Sequence, residues 1–437
     1  MRVLFTTWAS PGHYFPMVPL AWALRAAGHE VRMTSQPELL PVMGASGLPV
    51  TAIGRDFDVA GYFQRERAVT QPARANNTSN RAEKICDDLL ARLDTAGLEH
   101  SAASVREIEA EARSTLREIW SARAGARPSS LAVYGEVAQA MADDLLGLAK
   151  AWRPDLIVYD GLTYAGPLVA TLLGVPAVRM LFGPDNTYFA TAAADVPGWV
   201  DLLATHGLRP ADVDLLGVSS VDPCPPSLQV PDSALAVHRI RTRYVAYNGP
   251  SEVPRWLTEP QEQRRLCLTW GTSAHQLLGE QGFLPGEVLT GAAKLADGYG
   301  AELALAITTS QRELLPPDVP SNVRVVESVP LDALLPTCQA IVHQGGAGTI
   351  LNALRHGLPQ IVLPQRVDQV ANACHLVATG AGRTRAAAGL TAADLLAAGH
   401  AVLDDPAYRA SAQRVRQEIA DQRSPAEVVD DLAGLIR

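Results

Sequence analysis

The stretch Ala340-Ile-Val-His343-Gln344-Gly345-Gly346-Ala347-Gly348-Thr349 decides how the second half of this chain folds. A short apolar strand ends at His343, a glycine-rich turn follows, and a helix begins near Gly346 to Thr349. Such a helix start presents unpaired N–H groups and the positive end of the macrodipole. Glycines let an anion come close to the backbone. Thr349 adds a hydroxyl donor and His343 a ring N–H. The spacing therefore predicts a phosphate site, although a tight strand-to-helix turn with glycines for packing alone has the same outline. It is neither the Gly-x-Gly-x-x-Gly dinucleotide fingerprint nor a Walker loop.

Working outward, the second half reads as alternating strands and helices. Leu266-Cys-Leu-Thr-Trp270 is a strand running into a Gly271-Thr272-Ser273 turn, Phe283 to Ala296 a helix, and Ala301 to Thr308, Val323 to Val326 and Ala340 to Val342 further strands. Residues 410 to 437 are mostly helical. The first half opens in the same style. Arg2 to Trp8 is a strand, Pro16 to Ala27 a helix stopped by Gly28, and Glu30 to Ser35 a second strand. A βαβ opening implies a parallel sheet. Asp155 to Tyr159 and Pro176 to Leu181 are strands flanking a helix over Ala165 to Leu173. Residues 55 to 150 instead read as a helical insertion, with helices at Ala82 to Leu93, Ser104 to Trp120 and Gly135 to Trp152. Between the halves lie Pro223, Pro225, Pro226, Pro231, Pro250, Pro254 and Pro260, as suits an interdomain crossing. The expected organisation is a first domain over 1–222, a linker over 223–262 and a second domain over 263–437 whose last helix packs back on the first. The fold class is α/β, with two Rossmann-like β/α/β domains facing each other across a cleft.

The 437 residues are 47% hydrophobic and 19% charged, with a net charge of −9. That is a globular composition without the basic footprint of a nucleic-acid binder. The five Cys are widely spaced with no Cys-x-x-Cys, as in a cytoplasmic protein with reduced thiols. No apolar run reaches the roughly 18 residues of a membrane span, and the N-terminus reads as a strand, not a signal peptide. No His-x-x-x-His or His-Glu-x-x-His spacing occurs, so no catalytic metal is expected.

His343-Gln-Gly-Gly-Ala-Gly-Thr349, with Leu358-Pro359 and Asp368-Gln369 downstream, resembles the donor signature of family 1 glycosyltransferases of the GT-B fold. Val329-Pro-Leu-Asp-Ala-Leu-Leu-Pro336, Leu20-Ala-Trp-Ala-Leu-Arg-Ala-Ala-Gly-His-Glu-Val31 and Arg243-Tyr-Val-Ala-Tyr-Asn-Gly-Pro250 are similar to its bacterial natural-product branch, and the similarity runs along most of the chain. The resemblance implies that His343, Gly345, Gly346, Gly348 and Thr349 hold a donor diphosphate. It further implies that Gly271, Thr272 and Ser273 line it, that the base sits near Ser328 and Val329, and that Asp368 and Gln369 contact sugar hydroxyls. The sequence departs from the family at Gln344, where many relatives have a second His, and at Trp270, which is either core packing or a wall of the donor pocket.

Transfer to a hydroxyl needs a base, and His is suited to that near neutrality. Ser10-Pro-Gly-His13-Tyr-Phe-Pro16 follows the first strand, on the sheet edge where α/β folds bind ligands. A lone His there could equally cap or pack. In the resembled family this Gly-His position is the catalytic base, and the family's dyad acid implies Asp160, at the end of Leu156-Ile-Val-Tyr-Asp160. Asp160 alone would read as a helix cap. Gly12, Tyr14 and Phe15 are expected to contact the acceptor. The resemblance implies an inverting transfer of a deoxysugar from a dTDP-linked donor, a substrate rather than a cofactor, to a polyketide-type aglycone in antibiotic biosynthesis. It also implies a P450-like auxiliary protein, docked through the insert after residue 55. A nucleotide-sugar epimerase, a non-catalytic sugar-nucleotide-binding protein and a dinucleotide oxidoreductase are the rival readings, the last without its glycine fingerprint.

Overall fold

The computed structural model describes residues 1–62, 65, 92, 132–185, 197–229, 237–260, 263–271, 283–387 and 389–436. Thr272, Ser273 and most of the stretch read as an insertion, including the helices expected at Ala82 to Leu93 and Ser104 to Trp120, lie outside the described residues.

Two parallel sheets organise the chain. The first contains β1 (Arg2–Thr6), β2 (Glu30–Ser35), β3 (Val50–Ala52), β4 (Leu156–Asp160), β5 (Ala177–Met180), β6 (Ser219–Asp222) and β7 (Arg239–Arg241), in the order β3-β2-β1-β4-β5-β6-β7. The second contains β8 (Arg264–Thr269), β9 (Ala301–Ile307), β10 (Val323–Glu327), β11 (Ile341–His343), β12 (Gln360–Val362) and β13 (Gly382–Thr384), in the order β10-β9-β8-β11-β12-β13. Helices cover both faces, so central strands are buried throughout. Leu156 to Asp160 is buried at every position.

In both sheets the strand order reverses once, between β1 and β4 and between β8 and β11. Doubly wound sheets bind ligands in the crevice beyond the strand ends at such a switch point. His13 follows β1 and Asp160 ends β4, while Gly271 follows β8 and Gly345 follows β11. The chain thus delivers each candidate group to the position where its own sheet opens.

The first sheet runs on to Arg241, because β7 pairs with β6 in register Ser220 to Arg239. The crossing is therefore shorter than the proline-rich 223–262 stretch. The chain returns at the end. After the helix Pro406–Asp421, Val428, Val429 and Leu432 are buried in the first sheet's core beside Val18, Leu20 and Leu24. Leu432→Ala removes a fully buried side chain there, and a chemical-denaturation series should record a loss of about 2–5 kcal/mol.

Candidate active site

His13 belongs to a single helical turn, Pro11–Tyr14, which begins after Ser10 with proline at its start. Proline suits that position because its missing N–H would be unpaired anyway. The His13 Nδ1–H donates to Asp160 Oδ1 at 2.7 Å. The second Asp160 oxygen accepts from the Thr163 hydroxyl at 2.9 Å and the Leu162 N–H at 3.3 Å. Thr163 Oγ1 in turn accepts the Trp8 N–H at 2.9 Å. The carboxylate is thus locked, with its side chain 1% exposed against 15% for the imidazole. Binding through Nδ1 fixes the tautomer and leaves Nε2 as the lone-pair nitrogen. The imidazole lies between aromatic rings, with Phe182 at 4.3 Å and Trp8 at 5.1 Å between centroids, and Tyr134 is 5.8 Å from Trp8.

In the second domain, Gly345 has φ +94, and a Cβ there would lie 2.8 Å from Val362 Cγ1 and 3.2 Å from the Gln369 carbonyl. Only glycine fits that turn. Its carbonyl accepts from Asn372 Nδ2 at 3.0 Å. Gly346 is the N-cap of the helix Ala347–Arg355 and Gly348 is exposed; the first amides of a helix have no partner within it. Gly271, at φ +63, lies directly against the Gln344 amide. Gln344 therefore sits between the two glycine turns after β8 and β11. Ser328 closes β10 with φ +53, a left-handed conformation that a residue with Cβ adopts at some cost, and Val329 packs nearby against the core under the second sheet.

His343 is not where the sequence points. It is fully buried, and both ring nitrogens are occupied: Nε2–H donates to Gln360 Oε1 at 2.9 Å, and Nδ1 accepts the Gly345 N–H at 3.0 Å. Burial pushes its pKa down to about 4, against a smaller upward pull from the Gln360 hydrogen bond. The ring is neutral and organises the glycine turn; it has no N–H left for an anion. Gln369 is likewise buried, and its Oε1 accepts the Gln365 N–H at 2.9 Å, which leaves its amide nitrogen as donor. Asp368 is half-exposed and 3.2 Å from the Arg366 guanidinium. Trp270 is fully buried and donates from Nε1 to Gln365 Oε1 at 3.0 Å, so it is core that steadies the segment leading into the helix Val367–Ala378.

One acceptor expectation needs correction. Tyr14 is fully buried, its hydroxyl bonded to Ser46 Oγ at 2.6 Å, in the core of the first domain. One residue along a helical turn rotates a side chain by about 100°, so Tyr14 turns into the core while His13 stays at the edge of the site. Phe15 packs on Tyr247, 5.3 Å between rings, and against Gly249 at the crossing between domains. Gly12 is exposed and uncrowded.

Tyr134 lies within electrostatic reach of groups from both halves. Burial raises the pKa of its phenol, the Arg366 guanidinium pulls it back, and the Asp160 and Asp368 carboxylates push it further up. One residue therefore feels both the carboxylate behind His13 and the candidate sugar-binding carboxylate of the second domain. Among the described residues, no group of three or more His, Cys, Asp and Glu could hold a metal ion, and no helix is long and apolar enough to cross a membrane.

Two family descriptions match the chain: "Erythromycin biosynthesis protein CIII-like, N-terminal domain" over residues 22–271 and its C-terminal counterpart over 290–435. The chain belongs to this family. The 10-deoxymethynolide desosaminyltransferase of Streptomyces venezuelae is 34% identical, over 100% of this chain and 97% of that protein. The aclacinomycin-T 2-deoxy-L-fucose transferase of Streptomyces galilaeus is 32% identical over 98% and 94%. The spinosyn rhamnosyltransferase SpnG, solved with thymidine diphosphate, superposes with a TM-score of 0.72 at 29% identity, covering 99% of this chain and 100% of SpnG. This is a GT-B glycosyltransferase of the antibiotic-biosynthesis class, acting on a nucleotide-sugar donor and an aglycone acceptor. For this glycosyltransferase, sequence reasoning missed Trp8, Tyr134, Phe182, Gln360 and Asn372. The one usable signal was Gln360, a polar side chain at the head of an otherwise apolar strand.

Proposed function

We propose that the enzyme transfers a deoxysugar from a dTDP-linked donor to a hydroxyl of a polyketide-type aglycone, with inversion at the anomeric carbon. The observation that carries this reading is the 2.7 Å His13–Asp160 pair at the switch point of the first sheet, opposite the glycine turn of the second. His13 Nε2 takes the proton from the acceptor hydroxyl, and Asp160 stabilises the imidazolium that forms. The acceptor oxygen bonds to the anomeric carbon as the bond to the diphosphate oxygen breaks on the opposite face. The departing charge is met by the amides of Gly346 and Gly348, the Thr349 hydroxyl and the helix dipole. Gly271 lines the other side of the diphosphate, a role the family resemblance extends to Thr272 and Ser273, Ser328 and Val329 flank the base, and Asp368 and the Gln369 amide nitrogen hold sugar hydroxyls. Trp8 and Phe182 supply an apolar face for the aglycone beside Gly12.

Incubation with dTDP- and UDP-deoxysugars, with and without macrolactone and anthracyclinone acceptors, tests this by nucleotide release and the anomeric configuration of the product. Acceptor-dependent release with inversion is expected. Release without acceptor, accompanied by an altered sugar, would indicate an epimerase, and binding without release an auxiliary protein. We also propose a P450-like partner docked through the region after residue 55, on the family resemblance. Full activity of the isolated chain would remove it. A cytoplasmic location fits the described cysteines Cys224, Cys267, Cys338 and Cys374, each of which is a buried thiol.

A further inference from the structure

The loop that follows β5, Leu181 to Asp185, touches both halves of the site with consecutive residues. Phe182 lies 4.3 Å from the His13 ring, centroid to centroid. Gly183 meets Ala347, the first residue of the helix that starts at the glycine turn. A Cβ built on Gly183 would come closer than 3.0 Å to the Ala347 Cβ, a separation real Cβ atoms essentially never show, while the Ala347 Cα would be 3.7 Å away. Gly183 is not among the glycines of positive φ, so its backbone would accept alanine. What excludes a side chain there is the other domain.

The loop is also held rigidly from behind. The Asp185 carboxylate accepts from Arg179 at 2.6 Å, and the Asp185 backbone N–H donates to Gln229 Oε1 at 2.7 Å. The Gln229 amide donates to both Asp222 oxygens at 3.0 and 3.1 Å. All four side chains are almost wholly buried. A buried charged network is weak evidence for stability, but fully bonded it admits few alternative arrangements. A loop so anchored transmits a displacement instead of absorbing it.

We propose that Gly183 is a positioning residue: its contact with Ala347 sets the closest approach of the two domains across the reaction cleft, and Phe182 carries that spacing to His13. This deepens the transferase reading and rests on it. Gly183→Ala must push the loop and the helix apart by roughly 1 Å before the carbons reach van der Waals separation, and displacements of that size can cost about 10²-fold in rate. Ala347→Gly removes the atom that collides and leaves only the Cα at an ordinary contact distance.

The test is the four-protein cycle of wild type, Gly183→Ala, Ala347→Gly and the double variant. The expected result is a roughly 10–100-fold fall in kcat for Gly183→Ala, with donor KM changed much less, and a cost of less than about three-fold when the same change is made on the Ala347→Gly background. A second readout needs no substrate. The first amides of a helix have no partner within it, so hydrogen exchange over residues 345–350 should quicken in Gly183→Ala and return in the double variant. A wild-type kcat in Gly183→Ala, or an equal cost on both backgrounds, overturns the proposal. Should no transfer be found with any donor and acceptor, the transferase reading fails by itself, and exchange still reports on the contact.

Discussion

His13→Ala should lower kcat by about 10²–10⁴-fold, the usual contribution of a positioned general base, while dTDP affinity by titration stays within about two-fold of wild type. The separation is expected because His13 follows a strand of one sheet, bonded to Asp160, and the glycine turns follow strands of the other. Asp160→Asn should fall in the same direction. The amide can present either end to Nδ1 and no longer stabilises the imidazolium, so both tautomer and charge are compromised. The double variant His13→Ala/Asp160→Asn should be little worse than His13→Ala, because the carboxylate acts only through the ring. Near-wild-type turnover in His13→Ala would remove the base assignment. An additive double variant would mean that Asp160 has work of its own.

That these two residues are 147 positions apart in the chain and 2.7 Å apart in space marks how far the sequence could be read. The strand ends, the turn after β1 and the glycine turn after β11 are local patterns, and local patterns carry period and turn chemistry. The strand order is not local. It is the order β3-β2-β1-β4, with β4 beside β1 in register Thr6 to Tyr159, that brings Asp160 to His13, and only the family resemblance hinted at it. Short strands such as Gln360–Val362 and Gly382–Thr384 are too brief to show alternation. The strand Ser219–Asp222 was hidden for another reason: it is polar yet wholly buried, with Asp222 hydrogen-bonded to Gln229 and to the Cys224 N–H. Tyr14 looked like an acceptor contact because it neighbours His13 in sequence, whereas a helical turn sends adjacent side chains in different directions. The aromatic faces that do line His13 come from Trp8 and Phe182, at the ends of two different strands, and nothing in either segment marks them as a pair.

The second large effect concerns His343, where structure and sequence part. A ring that donated to the diphosphate could be removed with loss of binding and little loss of stability. The ring seen here is buried and spans Gln360 and the Gly345 N–H. His343→Ala strands both partners at about 1–3 kcal/mol each and opens a cavity besides. Thermal and denaturant unfolding should therefore show a loss of several kcal/mol, with dTDP binding impaired because the Gly345 turn loses its anchor. The pH dependence follows from the same burial. The folded pKa is lowered from about 6.5 to about 4, so between those values the unfolded chain binds the proton and the folded chain does not. Stability from this group is intact above pH 6.5 and falls as pH drops towards 4, by up to roughly 3 kcal/mol. Asp222 works against it: burial raises its carboxyl to about 6, so its contribution is present in acid and is lost as pH rises through 6. The two overlap, and the His343 share is obtained as the difference between wild type and His343→Gln across pH 4–7. That difference should shrink on acidification. A His343→Ala protein as stable as wild type, with dTDP binding abolished, would instead put the ring on the anion.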